Sequence, residues 1–165
     1  MRLVHAAGLD ELYGNSGWSG QDRMACDRRL AEFIFRNLRG SGYEAAGYGS
    51  VEAVLAGDVA MIRRFGLMPD SDVHLYAALG PRGMQAFMLW YALGAGGPGL
   101  LPPDDQSRRA LPPGTAHGDI AYGDWLIVDA SIRVRGLGGV LFAIVLDDMA
   151  RAGYRYWYGR TVVPD

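Results

Sequence analysis

The sequence predicts an α/β fold of α+β character, a central mixed sheet flanked by helices in the order β-α-α-β-β-β-α-β. Three observations carry this. Two amphipathic helical patterns occupy residues 19–65, a hairpin pattern follows at 73–93, and a strand, a glycine-rich turn, a helix and a last strand fill 120–163. A strand-helix-strand run makes a parallel crossover, whereas a hairpin is antiparallel, so the sheet must be mixed. The 165 residues fit one domain, 1–165, with an ordinary core.

The elements read as follows. Met1 to Ala6 is a short first strand, and Gly14 to Gly20 is turn-rich. Ser19 and Asp22 have capping-box spacing, and an apolar face of Leu30, Phe33, Ile34 and Leu38 then defines a helix that Gly40 ends. Ser50 caps a second helix running to Phe65, with Val51, Val54, Leu55, Val59 and Ile62 inward and Gly57 weakening it midway. Val73–Leu79 and Met84–Leu93 flank a Gly80-Pro81-Arg82-Gly83 turn, which reads as a β-hairpin. The Gly- and Pro-rich stretch 94–118 is long for a loop inside a compact domain, and such loops are usually functional or mobile. Ile120–Ile132 is then a strand, Leu137–Ala152 a helix, Gly153 its cap and Tyr154–Val163 a strand.

Composition narrows the function. Half the residues are apolar and 21% are charged, as in a folded globule. A net charge of −2 argues for neither nucleic-acid nor anionic-membrane binding. All 16 basic residues are arginine, so a lysine Schiff base or lysine general base is excluded. Cys26 stands alone, which rules out an intrachain disulfide and a thiolate metal cluster and fits a small buried side chain. No apolar run approaches the roughly 20 residues of a membrane span, and the first residues lack the apolar core of a signal peptide. The expected location is the cytoplasm. His5, His74 and His117 show no metal-ligand spacing, so no metal is expected.

The stretch Arg133-Val134-Arg135-Gly136-Leu137-Gly138-Gly139 has the chemistry of a phosphate cradle. The first N–H groups of a helix lack intrahelical partners and carry partial positive charge. Glycines let a phosphate approach the backbone, and the two arginines add charge-assisted hydrogen bonds. A dinucleotide fingerprint would need a third glycine where Leu141 stands and an acid near 155–157, where Arg155, Tyr156 and Trp157 stand. A nucleotide P-loop needs a lysine that this chain lacks. A glycine-rich turn that merely tightens a strand–helix junction is the bland alternative.

With this motif the chain resembles the GNAT superfamily of acyl-CoA-dependent N-acyltransferases. Their Q/R-x-x-G-x-G/A signature is met by Arg133-Val134-Arg135-Gly136-Leu137-Gly138, the preceding L-x-V by Leu126-Ile127-Val128, and the following leucine by Leu141. The resemblance implies that acetyl-CoA, as acyl donor, sets its pyrophosphate on this loop, residues 133–139. It implies also that the pantetheine arm pairs with backbone near Val128 and Ala130. The family continues with another helix and two strands, whereas the sequence ends at Asp165. The domain is then C-terminally truncated, completed by another subunit, or left with an incomplete site, and a homodimer or partner along 154–163 is expected, because an aromatic edge strand is usually covered.

Acyl transfer to an amine needs a base, an oxyanion donor and a proton for the departing thiolate. Strand alternation places Tyr122, Asp124, Leu126 and Val128 on one face. By the resemblance the usual carboxylate position falls at Tyr122, which is not an acid, so Asp124 becomes the candidate base. A turn at Gly123-Asp124 before a shorter strand is the structural alternative. His117 is a second candidate base ahead of the strand; His74 reads as a surface or hydrogen-bonded residue and His5 carries no signal. Tyr154, Tyr156 and Tyr158 alternate with Trp157 and read as sheet packing.

The function implied is transfer of an acetyl group from acetyl-CoA to a primary amine of a small molecule or peptide. The alternatives are an acyltransferase taking a longer acyl group from acyl-CoA or an acyl carrier protein, and an inactive acyl-CoA-binding or dimerisation module.

Overall fold

A computed structural model describes residues 1–18, 20–39, 49–68, 72–92, 111–132 and 136–159, without the side chains of His117 and Asp124. The described sheet has five strands in the order β1-β2-β3-β4-β5: Arg2–Ala6, Asp72–Gly80, Gly83–Ala92, Ile120–Val128 and Tyr156–Gly159. The first three pairings are antiparallel, and β4 and β5 are parallel. The helices are α1 (Leu9–Asn15), α2 (Arg23–Leu38), α3 (Val51–Val54), α4 (Ala60–Phe65) and α5 (Leu137–Arg151). The mixed sheet and its crossover through α5 match the sequence reading, while α1 is a helix the reading lacked.

Local chemistry sets the boundaries. Asp22 caps α2 by accepting from the Met24 amide, and Ser50 caps α3 by accepting from that of Ala53. Gly57 does not break its helix; residues 55–59 widen into a π turn between α3 and α4. Gly153, at φ +93°, ends α5, with the Tyr154 amide reaching back to the Met149 carbonyl. Ser19, Gly40, Leu93 and most of the long loop lie outside the described residues. Of that loop, 111–119 ends in a 3-10 turn, His117–Asp119. β4 stops at Val128, shorter than predicted, because Asp129–Ile132 turns back on itself through an Ile132 amide to Asp129 carbonyl bond.

The sheet separates two cores. On one face Phe87, Leu89 and Tyr91 of β3 meet α1, α2 and α4 through Leu12, Leu30, Ile34 and Ile62. On the other, Ala86, Met88 and Trp90 meet Leu137, Leu141, Val145 and Met149 of α5. Alanines at 78, 86 and 121 keep that face flat enough for the helix to lie close. Cys26 is buried, its thiol directed at the Trp18 carbonyl. Arg63 spans two carboxylates, Asp10 at 3.1 Å and Asp27 at 2.6 Å, clamping α4 to α1 and α2.

Towards β1 the face shared with α5 carries a tier of rings. His5 Nε2 lies 2.9 Å from His74 Nδ1, and His74 stacks flat on Trp90 at 4.0 Å. His5, which carries no signal in the sequence, is therefore a structural residue, and His74 is hydrogen-bonded, one of the two roles the sequence offers for it. Burial, and then the neighbouring His5, push the His74 imidazole below its ordinary pKa; Asp72 and Asp148 oppose this. A base with a depressed native pKa stays neutral while the unfolded chain takes up a proton. Stability is then full above the unfolded value, about 6.5, and lost as pH falls towards the native one. Urea unfolding between pH 8 and 5 should show this loss in wild type, and His74→Gln should flatten the lower end of the profile. An unchanged profile would remove His74 from the account.

Candidate functional site

β4 does not alternate as the sequence suggested. Leu89 pairs with Trp125 but Trp90 pairs with Gly123, so Asp124 is an extra residue, a β-bulge. The slip puts Ile120, Tyr122, Trp125 and Ile127 in the core under α2, and Ala121 and Val128 against α5. Leu126 is 44% exposed and pairs with Met88 on the α5 side. Tyr122 therefore does not share a face with Leu126 and Val128; it is buried, stacked on Tyr91 at 5.5 Å with Tyr158 edge-on at 6.0 Å. The bulge also replaces the turn considered for Gly123-Asp124: the strand runs through both residues. The signal was present in the spacing 120, 122, 125, 127 of the large apolar residues, and in a glycine inside a strand.

At the far end of β4 the cradle glycines are in place. Gly136 takes φ +86° as the N-cap of α5, a left-handed conformation that favours glycine, and as glycine it offers no side chain to cap the helix. Leu137 is buried beneath this turn. A β-carbon at Gly138 would lie 3.3 Å from Val128, so the turn is pressed onto the strand end, while one at Gly139 would meet open space. Residues 136, 138 and 139 thus place no β-carbon over the first amides of α5. Arg133, Val134 and Arg135 lie outside the described residues.

The connection from β4 is held from behind. Asn37 Oδ1 accepts from the Ala130 amide at 3.0 Å, and Arg36 pairs with Asp129 at 3.0 Å. The Asp129 amide donates to the Gln85 carbonyl. Burial alone would raise the Asp129 carboxyl, but hydrogen bonds from Ser131 and the guanidiniums of Arg36 and Arg82 hold it below its ordinary value. These residues border an open cavity of about 430 Å³ with Met84 and Ile132. Sequence reasoning missed Arg36 and Asn37, which lie 93 residues from their partners.

β5 supplies the other side. Its described ladder with β4 runs from Ile120–Tyr156 to Gly123–Gly159, ending at the bulge. The Trp157 indole lies on that last rung: a β-carbon at Gly123 would be 2.1 Å from its Nε1, and one at Gly159 2.4 Å from its benzene ring. Phe142 of α5 meets the indole edge-on at 5.2 Å. Among the described residues no group of three or more His, Cys, Asp or Glu could hold a metal, and no helix is long and apolar enough to cross a membrane.

No family model matches the chain, and no curated protein matches it by sequence. Solved structures do. A Pyrococcus horikoshii protein provisionally described as an acetyltransferase aligns with TM-score 0.56 at 14% identity, over 84% of this chain and 75% of its own. The aminoglycoside acetyltransferase HMB0005 from an uncultured soil metagenomic sample aligns with TM-score 0.53 at 14% identity, over 99% and 82%. A mutant of the BH1408 protein from Bacillus halodurans gives 0.53 at 14%, over 98% and 83%.

Asn37→Ala should cost about 1 kcal/mol in urea unfolding, because it leaves the Ala130 amide without its acceptor. Amide exchange at Ala130 and Ser131 should quicken, and unchanged exchange there would refute the clasp. At these identities the likeness is one of overall fold, a mixed sheet whose described parallel pair is joined through α5: the chain has the fold of the GNAT acyltransferases.

Proposed function

We propose that the protein is an N-acyltransferase that moves an acetyl group from acetyl-CoA to a primary amine on a small molecule or peptide. The observation that carries this is the glycine start of α5, with Gly136 left-handed and Gly138 seated on Val128, within the fold of acyltransferases. Anions are favoured at such a helix start, and no side chain of Gly138 or Gly139 stands in the way. On this reading the amides of residues 136–139 take the pyrophosphate, with Arg133 and Arg135 adding charge. The backbone at Val128 and Ala130 pairs with the pantetheine arm.

In the reaction the neutral amine nitrogen bonds to the thioester carbonyl carbon, and the carbonyl electrons move to oxygen. The C–S bond then breaks, the amide forms, and the amine proton leaves while the thiolate gains one, giving amide and free thiol. The bulge supports a place for this step: Asp124 stands outside the β3 register, freeing main-chain groups from that ladder. We assign Asp124 as the base that takes the amine proton, directly or through water. Tyr122, packed between Tyr91 and Tyr158, supports the floor of the site rather than meeting the face of Leu126 and Val128. The reading includes a cytoplasmic setting, supported by the single cysteine. It includes self-association along 154–163 as well, supported by the place of β5 at the end of the described sheet order.

Acetyl-CoA at a hundredfold excess over Kd should raise unfolding stability by about 2.7 kcal/mol. Gly138→Glu should abolish the gain by putting a carboxylate where the phosphate sits. No stabilisation of wild type by acetyl-CoA or free CoA would refute the donor assignment. Asp124→Asn should lower turnover about 10²-fold or more with the donor's Kd unchanged; an unaltered rate across pH would remove Asp124 as base.

A further inference from the structure

We infer that Trp157 sets the length of acyl group the donor can carry, by closing the end of the donor's path along β4. This rests on the donor reading above and adds the residue that makes the site selective for a short acyl chain. The path starts where Gly138 meets Val128 and follows the α5 side of β4, where Leu126 is 44% exposed. It ends at the last described β4–β5 rung, Gly123–Gly159. Five residue steps, one of them the bulge, lead from Val128 back to Gly123, about 15 Å, the reach of a phosphopantetheine arm ending in its thioester. There the Trp157 indole lies across both glycines, with Phe142 behind it.

Two features make this more than ordinary sheet packing. Only glycine at both 123 and 159 admits the indole, since a β-carbon at either would sit within 2.4 Å of ring atoms. Trp157 is nevertheless 41% exposed as a residue, whereas Trp18, Trp90 and Trp125 are buried. A large flat ring on bare backbone, open on one side and backed by Phe142, is a wall. An acetyl group stops short of it; a chain several methylenes longer must displace it, and overfilling a packed site of this kind weakens binding about tenfold or more.

The test measures Kd for acetyl-CoA and hexanoyl-CoA by calorimetry on the full chain. Wild type should prefer acetyl-CoA by about tenfold or more, Trp157→Ala should bring the ratio near one, and Trp157→Phe, the variant gentler on packing, should fall between. Wild-type tryptophan emission should change when acetyl-CoA binds, and the change should vanish in Trp157→Phe. If both thioesters bind every protein in an unchanged ratio, the inference falls and the donor reading stands. If no CoA thioester binds any of them, both fall together.

Discussion

One inserted residue in β4 governs how the molecule is arranged. Side chains on a strand change face with every residue, so the extra residue Asp124 reverses the assignment of everything on one side of it. Upstream, Tyr122 goes into the core with Tyr91, and Gly123 turns its bare backbone to the Trp157 ring. Downstream, Trp125 and Ile127 go into that same core, while Val128 meets the start of α5. β3 tolerates no compensating shift, because it is buried on both faces: Phe87 and Leu89 on one, Met88 and Trp90 on the other. The bulge is therefore a requirement of packing before it is a feature of any site.

The cradle depends on the same strand. Gly138 is seated on Val128, and the Asp129–Ile132 turn that follows the strand is held by Arg36 and Asn37. The start of α5 lies against the end of the strand that precedes it, through Gly138 and Val128. The described β4–β5 ladder lies along the same strand, so the start of α5 and the Trp157 ring both rest on β4.

Much of this was legible in the sequence, for reasons that are local. Ser50, Gly153 and the Gly80–Gly83 turn act through their own backbone neighbours, and α5 declares itself by apolar period and a left-handed glycine. What escaped notice depends on distant partners. α1 has only seven residues, too few to form on propensity alone, and exists because Leu9, Leu12 and Tyr13 are buried against the sheet. His5 carries no local pattern; its meaning comes from His74, 69 residues away. The face of Tyr122 was misread because a simple alternation was carried through Gly123-Asp124, where the apolar spacing changes from two to three. The glycine turn before α5 is legible in the sequence, but the hold of Arg36 and Asn37 on the turn after β4 is not.

The exclusive use of arginine has a chemical consequence of its own. Arg63 and Arg36 make the ion pairs that tie helices to helices and to the β4 turn, and a guanidinium remains protonated through the whole physiological range. A lysine in either place would lose its proton from time to time and become a nucleophile towards any activated ester nearby. In this sequence the sole aliphatic amine is the one at the chain's beginning. The folded surface is thus inert to stray acylation of its side-chain amines, because it has none.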